Sequence, residues 1–194
     1  GYGVTLSRVD KITSSGQPDM LIDSIPPVSR VDEINIKRPE IYFGELTSNY
    51  ALVNTSEDEF DYPDGNSNKY ARYEGDAGIK LNPINRLMFA IREHSLKTLV
   101  SGNIKSDSKI LINRKISERV QEIMPYLSYD KDPYMVTENG KLYWIIDAYT
   151  HTANYPYSEP YNNETRTNYI RNSIKVVIDA YNGNTDYYIV DDTD

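Results

Sequence analysis

The sequence predicts an α+β fold, and three observations predict it. First, Ile146-Asp-Ala-Tyr149 returns 32 positions later as Ile178-Asp-Ala-Tyr181, each copy closing an apolar run rich in β-branched and aromatic residues. Second, Asn139-Gly140 and Asn182-Gly183 each stand between two apolar runs, which is the strongest short-range hairpin signal. Third, apolar residues between positions 82 and 125 recur at helical spacing. Strands gathered at both ends of a helical middle give α+β, not alternating α/β. Residues 1–40 then read as an extended N-terminal arm. Residues 41–194 read as a compact α+β domain, helical over 82–125 and β-rich over 133–191.

The elements follow in order. Ser14-Ser-Gly-Gln-Pro18, Pro26-Pro27 and Arg38-Pro39 favour turns and extended chain, so the arm carries one or two short strands, pinned by Leu21, Ile22, Ile34 and Ile36. Ile41–Leu46 and Tyr50–Asn54 flank the short polar stretch Thr47-Ser-Asn49, which predicts an N-terminal hairpin. Ser56–Gly65 is acidic and carries Pro63 and Gly65, so it reads as a loop, with a short strand at Tyr70–Glu74. A helix starts at Asn82-Pro83, a good cap before the residue that suits the first helical turn. Leu87, Met88, Ile91, Leu96, Leu99 and Val100 give it an apolar face. Ile116, Val120, Ile123 and Met124 write a second helix, stopped by Pro125. Two C-terminal hairpins come from the repeated unit: Tyr134–Thr137 with Leu142–Tyr149, and Ile174–Tyr181 with Asp186–Val190. A Tyr-rich connection joins them, where Tyr155-Pro156 is a candidate cis bond.

Composition excludes several classes. The chain has 194 residues, 39% of them apolar, and a formal charge of -8. No basic stripe exists to replace phosphate counterions, so nucleic acid is not an expected partner. No cysteine is present, which rules out disulfides, thiolate chemistry and cysteine-held metal centres. No apolar run approaches the about 20 residues of a membrane helix. The opening Gly1-Tyr-Gly3 lacks Met and reads as an excerpt of something longer. Tyrosine is the outlier, with 18 against 3 Phe and 1 Trp. It suits half-buried sheet positions whose hydroxyls stay wet, or a recognition surface for sugars or peptides.

Candidate chemistry is sparse. Glu59 and Asp61 alternate like strand neighbours and offer oxygen ligands for calcium in a site shared with Glu45 or Glu74; the segment lacks the EF-hand spacing, and no other cofactor is expected. The plainer reading is a solvated acidic loop. Asp130, Asp132, Asp147 and Asp179 are the carboxylates that glycoside hydrolysis would use. Asp147 and Asp179 hold the same place in two copies, however, which suits turn-closing residues better than a catalytic acid. His94 and His151 show no triad or metal spacing. Arg171 precedes the second hairpin and is expected to pair with Asp130, Asp132 or Glu74. Tyr62, Tyr134, Trp144, Tyr155 and Tyr157 are the candidate stacking platforms, with Arg171 beside them as a binding residue.

Several longer phrases carry a resemblance. Ile41-Tyr-Phe-Gly-Glu45, Glu59-Phe-Asp-Tyr-Pro63, Asn85-Arg-Leu-Met-Phe-Ala90, Tyr129-Asp-Lys-Asp-Pro-Tyr134, Gly140–Thr150, Tyr155-Pro-Tyr-Ser158 and Asn168–Tyr181 closely resemble, in this order, the UPF0182 family of uncharacterised bacterial multi-pass membrane proteins. The resemblance implies a piece of the extracytoplasmic region of such a protein, on the outer side of the cell membrane. It supplies no catalytic residues. The expected function is a non-enzymatic interaction or structural domain. Its expected partners are the remainder of the parent membrane protein, a cell-wall polymer or another envelope protein. The alternative is a wall-glycan or peptide-binding module built on the tyrosines, and a more distant one a hydrolase with paired carboxylates.

Overall fold

A computed structural model describes residues 1–94, 101–161 and 163–193. Among the described residues strands take 39% and helical turns of all kinds 11%, so the fold is β-rich, built of antiparallel sheets, and the α+β class is corrected. Three segments make the difference: the arm, the acidic stretch and the middle of the region read as helical. Leu96, Leu99 and Val100, assigned to the first helix's apolar face, lie outside the described residues.

The arm holds a three-stranded meander of β1 (Leu6–Ile12), β2 (Pro18–Asp23) and β3 (Val28–Ser29). Ile22 is fully buried, while Leu21, Ile34 and Ile36 are half-buried. The hairpin expected at 41–54 does not form. Instead β4 (Ala51–Val53) pairs with a strand far along the chain, described below. Residues 42–44 are held as irregular chain: the amides of Tyr42 and Phe43 both donate to Ala180 O at 2.9 Å, and that of Gly44 to Arg114 O at 3.0 Å. Phe43 is thereby driven into the core. Its ring lies so close to Gly183 that a Cβ there would meet it at 2.6 Å. A tertiary anchor of this kind overrides the local hairpin preference.

The acidic stretch is a hairpin, not a loop. β5 (Glu59–Asp64) pairs with β6 (Ser67–Ala71), and of the two connecting residues Gly65 alone has positive φ (60°), as a II′ turn requires. Pro63 is tolerated because the pair has only edge strands and its register slips between Phe60 and Pro63. β7 (Ile79–Lys80) then leads into α1 (Pro83–Arg92). The predicted cap is present: Asn82 Oδ1 accepts from Asn85 N at 2.9 Å, and Pro83 opens the helix. The next described element is a strand, β8 (Lys109–Leu111), flanked by β4 and β7 in a three-stranded sheet. α2 (Ile116–Ile123) falls where predicted, with Ile116 and Val120 fully buried.

The C-terminal sheet contains β9 (Ser128–Tyr129), β10 (Tyr134–Glu138), β11 (Lys141–Thr152), β12 (Tyr169–Asp179) and β13 (Thr185–Ile189). Both predicted hairpins form, and they join through their repeats in the order β10-β11-β12-β13, with β9 also on β11. Ile145 faces Val177, and these are the same position in the two copies. A local two-fold therefore relates the copies and exchanges the pair Trp144–Ile178 with the pair Ile146–Val176. The copies then diverge. Asp179 closes its strand and accepts the amides of Tyr181 and Asn182 at 2.8 and 2.9 Å. Asp147 closes nothing: β11 runs on to Thr152 through a bulge, and Asp147 faces Lys175 instead.

One face of this sheet builds the core. Leu142, Ile146, Ala148, Val176 and Ile178 are buried, the last four in one cluster with Phe43, Val53, Leu111, Ile116 and Val120. Burying each of the larger of these side chains contributes roughly 1.5–3 kcal/mol. The hydroxyls of Tyr129 and Tyr187 hold α2 over that face by donating to Val120 O at 3.0 and 3.2 Å. Leu81, Phe89 and Ile110 form a smaller cluster that seats α1 on the β8 sheet.

Candidate interaction surface

Strand alternation sends the other half of the same side chains outward. β11 presents Tyr143, Ile145 and Asp147, β10 Tyr134 and Val136, β12 Lys175 and Val177, and β13 Asp186 and Tyr188. The register puts Tyr134 beside Ile145, Val136 beside Tyr143, Ile145 beside Val177, and Lys175 between Asp147 and Tyr188. None of these belongs to either core cluster. Tyr134 and Tyr188 remain 46% and 53% exposed, and Val136, Ile145 and Val177 are half-buried among their neighbours.

The face is ordered by its own bonds. Lys175 Nζ donates to Asp147 Oδ1, and that bond holds the ammonium above the usual lysine range. Tyr149 donates its hydroxyl to Asp130 Oδ2 at 3.0 Å. Asp130 also accepts the Asp132 amide, and these two bonds, the backbone one first, keep its carboxyl below the usual range. The result is an aliphatic centre ringed by tyrosines, with one ion pair already neutralised. That chemistry suits non-covalent contact, because amphipathic rings bury well and tolerate water when free.

The aromatic residues singled out in the sequence do not assemble into one platform. Tyr134 lies on the outer face. Trp144 lies on the inner face, where its indole donates to Phe43 O at 3.0 Å. Tyr62 packs against Tyr2 at 5.2 Å on the β5–β6 hairpin. Tyr155 stacks on Tyr169 at 4.9 Å and 8°, tied down by Asn168, with Tyr157 fully exposed beside it. Tyr155-Pro156 is trans; the cis bond among the described residues is Ile25-Pro26. Arg171 pairs with Asp191 and Thr193, and Glu74 pairs with Arg38 instead.

The acidic candidates have structural employment. Glu59 accepts from Asn54 N and Tyr42 Oη, both at 2.8 Å. Burial raises the Asp61 carboxyl above its usual range. Among the described residues no group of three or more His, Asp or Glu converges as metal ligands would. Tyr143, Tyr149, Tyr188 and Lys175 were not singled out in the sequence, yet the alternation of Tyr143, Ile145, Asp147 and Tyr149 carried the signal. Glu40 carried none. Its Oε2 is sealed from solvent without a hydrogen-bond partner among the described residues, and burial first, then Asp61 and Glu74, pushes its carboxyl up. It stands between two clefts of about 150 and 230 Å³, one lined by Arg38, Glu74 and Tyr181, the other by Tyr42, Asp61 and Arg114.

Fold and surface together define an antiparallel β domain with one packed and one open sheet face. The chain belongs to the UPF0182 family, described as an uncharacterised protein family, whose profile matches residues 1–194. It is 55% identical over 194 residues to UPF0182 proteins of Alkaliphilus metalliredigens and of Clostridium botulinum strain Okra, and 54% identical to one of Clostridium acetobutylicum. Each alignment covers 100% of this chain and 21% of the relative, so the chain spans about a fifth of their length. No solved structure matches. Among the described residues no helix is long and apolar enough to cross a membrane.

Proposed function

We propose that this chain is a non-enzymatic interaction domain in the extracytoplasmic part of a longer bacterial membrane protein. The outer face of the β10–β13 sheet is its contact surface, and the partner is another envelope protein. One observation carries this: the face keeps Val136, Ile145 and Val177 half-exposed among Tyr134, Tyr143, Tyr149 and Tyr188, while the reverse side buries Leu142, Ile146, Ala148, Val176 and Ile178. A sheet with no task on its outer face normally carries polar side chains there. Tyrosine is also the residue enriched where contacts form at low entropic cost. The test is photo-crosslinking in cells, with a benzophenone side chain replacing Tyr188 or Tyr134 in the full-length protein. A discrete adduct with a second polypeptide is expected from both positions, and none from Tyr70 on the β5–β6 hairpin. Adducts from Tyr70 alone, or from none, would sink the proposal.

A second reading is favoured by Tyr155 and Tyr157, two exposed rings on one loop. It makes that loop a cell-wall glycan or peptide site. A pull-down against purified cell wall would then lose binding in the Tyr155→Ala/Tyr157→Ala variant. Unchanged binding, or no binding by the unaltered protein, removes this reading.

A further inference from the structure

The apolar positions of α1 point the wrong way for a helix that ends at this domain's surface. Phe89 is buried against Leu81 and Ile110, and Ala90 is buried as well. Ile84, Leu87, Met88 and Ile91, spaced i, i+3, i+4 and i+7 along one face, are 71%, 50%, 64% and 65% exposed. Beside them Ile79, Met88, Phe89 and Ile112 line a shallow apolar cleft of about 240 Å³. We infer that this stripe is the seam by which the domain packs against the remainder of its own polypeptide, on an aliphatic surface outside residues 1–194.

Two arguments select that occupant over a second copy or a separate partner. The stripe is aliphatic, without the tyrosines of the sheet's outer face, and so resembles half of a permanent core and not a surface that is wet between encounters. Its area is also too small to hold a free partner. Four such side chains present roughly 500 Å², at the upper end of what monomers leave uncovered, against the ~800 Å² per partner of a standard interface. A tethered segment needs no such area, because attachment supplies an effective concentration of order millimolar. The relatives, of which this chain spans 21%, carry ample sequence to provide it. The inference is independent of the sheet's outer face, and either can fail alone.

Met88 supplies the readout. The full-length protein, in native membranes and in detergent, is exposed to hydrogen peroxide, and sulfoxide at Met88 is followed by mass spectrometry against the same chain unfolded in urea. Oxidation at least tenfold slower in the native chain is expected, in both media and unchanged on hundredfold dilution of the detergent sample. A native rate within threefold of the unfolded rate would overturn the inference, since Met88 would then be as open as it is in this domain alone. Protection lost on dilution would assign the stripe to a second molecule. Protection present in membranes and lost in detergent would assign it to the bilayer. Either result also overturns the inference.

Discussion

Ile145 and Ile146 are adjacent in β11 and point to opposite faces of the sheet, so truncating each in turn measures the two faces separately. Ile146 is 1% exposed and faces Val176 inside the main core cluster. Ile146→Ala removes three carbons, worth about 0.8 kcal/mol each when buried, and leaves a hole between α2 and the sheet. The total cost is about 3–4 kcal/mol, within the range for such core truncations. Ile145 is half-buried between Tyr134 and Val177 and belongs to neither core cluster. Ile145→Ala then forfeits only part of the transfer energy, about 1 kcal/mol. For a chain of this length 1 kcal/mol moves Tm by about 2–4 °C. Thermal melts followed by circular dichroism should therefore fall by roughly 6–16 °C for Ile146→Ala and roughly 2–4 °C for Ile145→Ala. Equal losses would refute the assignment of a packed and an open face. So would a larger loss at Ile145.

Three other outcomes are expected. Gly183→Ala places a Cβ against the Phe43 ring at positive φ (71°) and should cost about 2–4 kcal/mol in urea unfolding; Gly16→Ala, also at positive φ but with nothing within 4 Å, should cost only about 1 kcal/mol. Asp191 accepts from Thr193 and Arg171, which lower its pKa from 3.8 to about 2. Its stabilising contribution is present above pH 3.8 and lost as pH falls toward 2, and an NMR titration of its carboxyl should show that midpoint, moving back up in Arg171→Gln. Glu40 titrates above its usual 4.5, so its contribution is fully present below that pH and is lost as pH rises through the folded value. Glu40→Gln should therefore gain stability relative to the unaltered chain between pH 4 and pH 7, as read from urea midpoints.

What could be read from the sequence was what neighbouring residues decide. Asn139-Gly140 takes φ of 53° and 84°, and the turn it codes is present. Asn82-Pro83 opens a helix because cap and first turn are local chemistry. Ala51–Val53 was rightly read as a strand but given the wrong partner, because Lys109–Leu111 lies far along the chain and no pattern near residue 50 names it. The α+β class failed because short strands went unread in the arm, in the acidic stretch and at Lys109–Leu111, where a three-residue strand has too few positions to show a period of two. Asp147 and Asp179 share a sequence context and differ in role because only Asp179 is followed by a tight turn, closed by Asn182-Gly183. The site was half legible. Tyr134 could be found from composition, but Trp144 turned inward to meet the Phe43 carbonyl, a contact that depends on how residues 42–44 cross the sheet.

The most direct test of the open sheet face as a contact surface is a hydroxyl-radical footprint of the full-length protein in intact cells. Tyr134 and Tyr188 on that face are compared with Tyr70, which is 60% exposed on the β5–β6 hairpin. A covered face predicts labelling of Tyr134 and Tyr188 at least tenfold below Tyr70 in cells, and comparable labelling of all three in the chain of residues 1–194 alone. Comparable labelling of the three in cells would mean that the face stays bare where the protein works, and would contradict its role as a contact surface.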